Sequence, residues 1–595
     1  DHGENPFFNT DGSRVYFSTG GGLKKQFKSI GIDGKDERTH FNAKYAKDFV
    51  PSPDGNWIAF TELYNVYVAA FPKTGKALDL NGSGSSFPVF RVTRDAGTSL
   101  HWSSDSKSLN WMLGPEYFSR EIKDCFTFVA GAKDSLPPVD TAGINVGLRL
   151  KTYVPEGIIA VTGARLITMK GDEVIEGGTI VVKGNRILAI GKDAQVKIPK
   201  SAKIIDGKGK TIMPGIVDVH AHLGNSWTGL SPEQQWSYYA SIAYGTTTSH
   251  DPSSNTEMVF SQSEMVKSGA MIGPRIYSTG TILYGADGDF KAVVNSLDDA
   301  RMHLRRMKAV GAFSVKSYNQ PRRNQRQQVI QAARELKMNV VPEGGSFFNH
   351  NMTQILDGHT GIEHSIPVSP VYQDVQKLWG GSKTGYTPTL IVGYGGIWGE
   401  NYWYQKTEVW KNERLLKYYP RAILDSRSMR RTMAPDDDFG HIGNAKAAHS
   451  IMKAGAKVQL GAHGQIHGIG AHWEMWMFVQ GGFSPLEAIR ASTQWGADYI
   501  GMGKELGSLE DGKLADFIIM DKNPLDDIRN SEAISMVMAN GRLFDAATMN
   551  EIGNQTSECQ PFFWERAKGS NAFPWHEFTQ SYMGGQCGCF GHSHN

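Results

Sequence analysis

The stretch Thr211-Ile212-Met213-Pro214-Gly215-Ile216-Val217-Asp218-Val219-His220-Ala221-His222 constrains the fold more than any other part of this chain. Ile216, Val217 and Val219 supply β-branched bulk and Pro214-Gly215 punctuates the start, which predicts a buried strand. Residues two apart in a strand share a face, so His220 and His222 point the same way, as two imidazoles able to hold one metal ion. Such a pair alone is equally compatible with hydrogen-bonded core histidines. Polar residues placed at later strand ends weigh toward the metal.

The 595 residues correspond to about three to four domains, and a 40% apolar, 11% aromatic composition is ample for several cores. With 62 basic against 60 acidic residues the net charge is +2, so nothing in it calls for nucleic acid or an anionic membrane. No apolar run reaches membrane-spanning length. The chain starts at Asp1 without Met or a signal peptide, as expected of a mature or truncated product. Four cysteines, Cys125, Cys559, Cys587 and Cys589, are too few for a disulfide scaffold. Cys587 and Cys589 with His592 and His594 have metal-ligand chemistry, but a disordered or disulfide-tied tail explains them more simply.

Residues 1 to about 130 repeat. Asn9-Thr10-Asp11-Gly12, Ser52-Pro53-Asp54-Gly55 and Ser103-Ser104-Asp105-Ser106 each feed a β-rich strand, and the aspartates lie 43 and 51 residues apart. That is near the period of a four-stranded propeller blade. The segment SPDGNWIAF resembles the repeat of TolB-like β-propellers. Three blades do not close a ring, so the missing blades are expected upstream in a longer polypeptide or on a second chain; a small non-propeller β domain is the alternative.

Residues 157 to about 210 form a second β-rich section, with a hairpin turn at Gly184-Asn185, and its style returns at 512 to 520 and near Ser535 to Leu543. Between them strands alternate with helical periodicity, which argues for a (β/α)8 barrel. TIMPGIVDVHAHLG resembles the first barrel strand of the amidohydrolase superfamily. SPLEAIRASTQWGADYIGMGKELGSLEDGKLADFIIMDKNPL resembles its last barrel helix and its return into a flanking β-sandwich. The likeness runs from about 157 to about 545. The expected fold class is therefore α/β plus all-β: a TIM-like barrel over 213–511, a split β-sandwich from 136–212 and 512–560, an incomplete propeller over 1–135, and a tail at 561–595.

The resemblance implies a metal-dependent hydrolase with ligands at the C-terminal ends of barrel strands. His220 and His222 match the pair that holds the more buried metal. Lys316 falls where many members carry a carbamylated lysine, the carbamate bridging two cations; an ordinary buried or salt-bridged lysine is the competing reading. His364 matches the strand-six histidine. Two positions depart from the pattern. Glu343 follows strand five, where histidine is usual, and His463 follows strand eight, where aspartate is usual. The departures are reciprocal, so ligand types and total charge are kept, and a working two-metal site with an exchanged acid and imidazole is expected. A decayed or mononuclear site is the alternative.

Two divalent ions, zinc or similar, would generate a metal-activated hydroxide near neutral pH and polarise a carbonyl. His463 and Glu343 compete as general base, and Tyr318 shares a strand face with Lys316 as a candidate oxyanion donor. His250 and Asp251 are candidates to orient ligands, with turn capping by Asp251 the simpler reading. Arg322 and Arg323 suit a substrate carboxylate or a solvated basic turn. The aromatic-rich insertion holding Tyr394, Trp398, Tyr402, Trp403, Tyr404 and Trp410 reads as a lid or as an interface. His467, His472 and Glu474 read as structural.

The leading function is cleavage of a C–N bond in a cyclic amide, N-acyl amino acid or small peptide, near the imidazolonepropionase and prolidase-like branches. A mononuclear deaminase and a catalytically silent metal-binding barrel with a propeller interaction module are the competing readings. A periplasmic or secreted location follows from the propeller resemblance, and a homo-oligomer is compatible with it.

Overall fold

The computed structural model describes residues 3–84, 86–224, 230–288, 290–318, 320–345, 347–429 and 431–566. The Cys587, Cys589, His592 and His594 group lies outside them. The chain divides into two compact units. One comprises residues 1–149, 283–313 and 317–338; the other comprises 150–282, 314–316 and 339–595.

In the first unit the three repeats become three sheets. The first contains Glu4–Phe8, Arg14–Gly21, Lys24–Gly31, Arg38–Ala43 and Leu78–Asp79; the second Ala46–Pro51, Trp57–Glu62, Asn65–Ala70 and Val89–Arg91; the third Thr98–Trp102, Ser108–Leu113, Glu116–Glu121 and Ile144–Asn145. One turn device recurs. The Asp11, Asp54 and Asp105 carboxylates accept from the backbone N–H two residues on, at 2.8, 3.1 and 3.1 Å. Such Asx turns reverse the chain at low cost, and the strand that follows each is apolar. Phe27, Phe41, Phe60 and Trp111 are among the fully buried residues beneath these sheets.

The same unit holds the helices Leu297–Ala309 and Arg323–Leu336. A capping box, with the Ser296 hydroxyl accepting from Asp299 N–H and the Asp299 carboxylate accepting from Ser296 N–H, starts the first helix.

In the second unit, residues 158–214 and 517–557 share a ten-stranded sheet, joined where Thr211–Pro214 runs antiparallel to Phe517–Met520. The Gly184-Asn185 turn links the antiparallel strands Val174–Lys183 and Arg186–Lys192. The expected single strand over 211–222 is interrupted. Thr211–Pro214 belongs to this sheet, whereas Ile216–Asp218 starts a parallel set with Thr246–Asp251 and Arg275–Ser278. Gly215 is the break: a Cβ there would lie 2.1 Å from Thr247 Oγ1, so only glycine lets the chain pass from one sheet to the next. Gly361–Glu363 and Gly385–Thr387 pair in parallel, and Val458 bridges to Tyr386. Val219 N–H to Leu460 O (3.1 Å) and His463 N–H to His220 O (2.7 Å) join the last strand position to the first. The helix Ile469–Gln480 is buried from Ile469 to Phe478, so it packs within the core rather than across its surface.

Candidate metal centre

Histidines 220 and 222 lie just past the end of Ile216–Asp218 rather than within it. They still come together, with ring centroids 5.2 Å apart. The reason is local: Asp218 Oδ1 accepts from His220 N–H at 3.2 Å and from Ala462 N–H at 3.1 Å, tying the first strand end to the last. His463 follows, its ring 4.7 Å from His222 and 5.1 Å from His220. One nitrogen from each of His220, His222 and His463 lies within 4.8 Å of the others, all three residues buried, a spacing that can hold a metal ion.

Residues 316, 343 and 364 complete the cluster. Lys316, fully buried on Ser314–Tyr318, places Nζ 2.6 Å from Glu343 Oε2. Glu343 Oε1 is 3.1 Å from His364 Nε2, and the His364 ring lies 4.8 Å from His220 and 5.1 Å from His463. All six residues named from the sequence as ligands therefore occupy one contiguous buried group. His364 and His463 have φ of 69° and 60°. A non-glycine residue in the left-handed region costs about 1 kcal/mol, and such strain gathers where a side chain must be aimed.

Each histidine has an oxygen against its Nδ1. Glu363 Oε2 accepts from His220 at 2.7 Å, Thr389 Oγ1 is hydrogen-bonded to His364 at 2.8 Å, Gln465 Oε1 accepts from His463 at 3.2 Å, and Asp251 Oδ1 lies 3.4 Å from His222. Holding Nδ1 in this way fixes the tautomer and turns Nε2 toward a metal. The donor set fits: buried His220 Nε2 has no hydrogen-bond partner while its Nδ1 is engaged. Tyr499 donates to the other Glu363 oxygen at 2.6 Å.

Burial dominates the electrostatics. It pushes the Asp218 and Glu363 carboxyls up to about 7 and holds His220 well below the usual imidazole range, the nearby Lys316 charge adding to the last effect.

Glu363, Thr389 and Gln465 carry positioning contacts that sequence reasoning missed. The signals were an acid inside the apolar run Gly361-Ile362-Glu363, and a Gln two residues beyond His463. Asp251 does two jobs, accepting from Ser253 N–H (3.0 Å) as a turn cap and facing His222. His250 braces strands through Val219 O (3.1 Å) and Ser314 Oγ (2.8 Å). Glu474 accepts from Leu390 and Ile391 N–H at 2.7 and 2.9 Å, and His472 bonds Ser531 and Tyr244, so both are structural. His467 packs its ring 5.6 Å from Trp236.

Tyr318 ends the Lys316 strand with its ring 5.5 Å from Tyr284. Arg322 bonds Asn295 at 3.1 Å, and its backbone begins the helix Arg323–Leu336. Of the inserted aromatics Trp403 and Tyr404 are buried, whereas the Tyr394 ring lies 6.1 Å from His364. Trp403 packs 4.9 Å from Trp476, and Tyr404 packs 5.2 Å from Trp473.

Residues 434–544 match the amidohydrolase family. The chain carries an amidohydrolase-family domain. The chain is 24% identical over 440 residues to the ochratoxinase of Aspergillus niger, covering 65% of the chain and 87% of that protein. It is 40% identical over 75 residues to an imidazolonepropionase of Alkaliphilus metalliredigens, a match spanning 10% of the chain and 18% of the relative. A solved Xaa-Pro dipeptidase with bound methionine shares the fold at a TM-score of 0.51 and 22% identity, over 65% of this chain and all of that one. The chain thus combines a TIM-barrel-like domain with a sheet-rich N-terminal region. Among the described residues no helix is long and apolar enough to cross a membrane.

Proposed function

We propose that this amidohydrolase cleaves the C–N bond of a cyclic amide, N-acyl amino acid or small peptide at a two-metal site. His220, His222, His364, His463, Glu343 and a carbamate on Lys316 would hold the ions. The observation that carries this reading is the single buried cluster formed by six residues spread over 244 positions, from His220 to His463. When bound, divalent metal supplies an activated water nucleophile and polarises the scissile carbonyl.

The chain's own residues divide the remaining work. His463 already donates from Nδ1 to Gln465, so with Nε2 committed to metal it has no nitrogen left for proton transfer. Glu343 has two oxygens facing the cluster and is assigned as the base that moves the proton to the leaving nitrogen. The names of the ochratoxinase and the Xaa-Pro dipeptidase support hydrolysis of an amide or an Xaa-Pro dipeptide.

The test is turnover of a panel of N-acyl amino acids, Xaa-Pro dipeptides and cyclic amides, before and after metal removal and zinc readdition. Turnover that is lost and restored is expected. A folded, zinc-loaded protein that cleaves no member of the panel would sink the proposal.

The Lys316–Glu343 ion pair favours one other reading, a mononuclear aminohydrolase with Lys316 unmodified and held as an ammonium by Glu343. Metal analysis and the carbamate carbon signal after labelled bicarbonate separate them. Two metals per chain with the signal support the first reading, and one metal without it supports the second.

A further inference from the structure

The inserted segment reaches the metal cluster through one side-chain chain. Glu400 sits at the start of the helix Gly399–Lys406 and is nearly fully buried. Its Oε1 accepts from Gln465 Nε2 at 3.2 Å, and Gln465 Oε1 in turn accepts from His463 Nδ1 at 3.2 Å. Arg427, on the helix Arg421–Ser428, donates to the Gln465 carbonyl and attracts the Glu400 carboxylate.

An amide side chain can present either its oxygen or its NH2 to a neighbour, and the hydrogen bonds around it decide which. A carboxylate accepts only. Glu400 therefore holds the Gln465 NH2 toward itself and the Gln465 oxygen toward His463. That oxygen requires a proton on His463 Nδ1, which leaves Nε2 as the lone-pair nitrogen facing the cluster. His463 stands in the left-handed region two residues before Gln465, so the backbone anchor provided by Arg427 also bears on where this ring points.

We infer that Glu400 and Gln465 are positioning residues: together they set the His463 tautomer that binds metal, and so couple the inserted segment to metal affinity. The inference rests on the reading of His463 as a ligand.

The test is zinc affinity, measured by competition with a chromophoric chelator on metal-free full-length protein, with folding checked by circular dichroism and thermal unfolding. Glu400→Gln can donate to Gln465 Oε1 and turn the amide round, presenting NH2 to His463. A loss of about 10–100-fold in zinc affinity is expected, the scale found when outer partners of metal histidines are removed. Glu400→Gln combined with Gln465→Glu restores a one-way chain, because the new carboxylate accepts from both His463 and the residue 400 amide. Recovery to within about threefold of the parent is expected. A merely structural role for Glu400 would not produce that recovery.

If Glu400→Gln does not fold, Gln465→Leu removes the amide at a partly buried position, and the same loss is expected. His463→Ala is the control. If His463→Ala binds zinc like the parent, the ligand reading itself fails. If it loses zinc while Glu400→Gln and Gln465→Leu keep it, the ligand reading stands and the positioning role is overturned.

Discussion

At the scale of single residues, Glu343 and His463 carry the unusual chemistry. Each stands where the superfamily resemblance implies the other's side-chain type, and each faces the same buried cluster. The charge of the groups that hold a divalent ion governs its affinity, so exchanging the two would preserve the total that either single change would alter. Glu343→His and His463→Asp are each expected to weaken zinc binding on the order of 100-fold, whereas the double variant recovers most of it. Chelator competition checks this, and additive losses in the double variant would contradict the exchange. His220 and His222 were legible as polar residues in an apolar, strand-like run, whereas Lys316, Glu343, His364 and His463 stood out through the superfamily resemblance. Glu363 was not singled out: its neighbour His364 carries the motif, and nothing local says that an acid 143 positions from His220 will meet its Nδ1.

Strands and turns set the aim of those side chains. Gly361 begins a three-residue strand, and a Cβ there would lie 2.1 Å from the Tyr499 hydroxyl that donates to Glu363. Gly361→Ala must push Tyr499 away. It is expected to destabilise the fold by about 1–3 kcal/mol and to weaken zinc binding, because Glu363 loses one of its partners. Urea unfolding and metal competition on the same variant test both parts. The break at Gly215 was legible only in part. Pro214-Gly215 marks a boundary, but the apolar run reads continuously across it. That its halves join different sheets depends on Phe517–Met520 and Thr246–Asp251, far away in sequence.

Over the whole molecule, buried histidines tie stability to pH. Burial holds His303 at about 3 and His441 and His472 at about 4, against an ordinary 6.5. In the folded state these rings stay neutral. The unfolded chain takes up protons once the pH falls below about 6.5. The unfolded state then binds more protons, so stability falls as pH drops from about 6.5 toward 4, by up to about 1.4 kcal/mol per pH unit for each ring. His303, which bonds Val293 O at 3.1 Å and accepts from Arg306, allows a clean test. His303→Gln is expected to show a shallower loss over this range in denaturant titrations, and an unchanged slope would contradict the assignment. Metal acts on the same balance. A ligand held only by the folded state stabilises it by mass action, so chelation is expected to lower Tm and zinc readdition to restore it. Scanning calorimetry with and without chelator reads this directly.

What the chain's order of residues determined alone was local: the polar turns of the N-terminal repeats, the boundary marked by Pro214-Gly215, and the paired imidazoles of His220 and His222 set in an apolar run. These follow from short-range sterics and side-chain chemistry, which act within a few positions. Only the tertiary structure decided that residues 283–313 and 317–338 group with the N-terminal sheets. It also decided that Trp403 and Tyr404 pack into the core, and that Glu363, Thr389 and Gln465 hold the histidines at Nδ1. Those outcomes depend on which distant surfaces bury one another and which buried polar atoms must then find partners. That condition is met across the folded chain, and no stretch of it carries the answer.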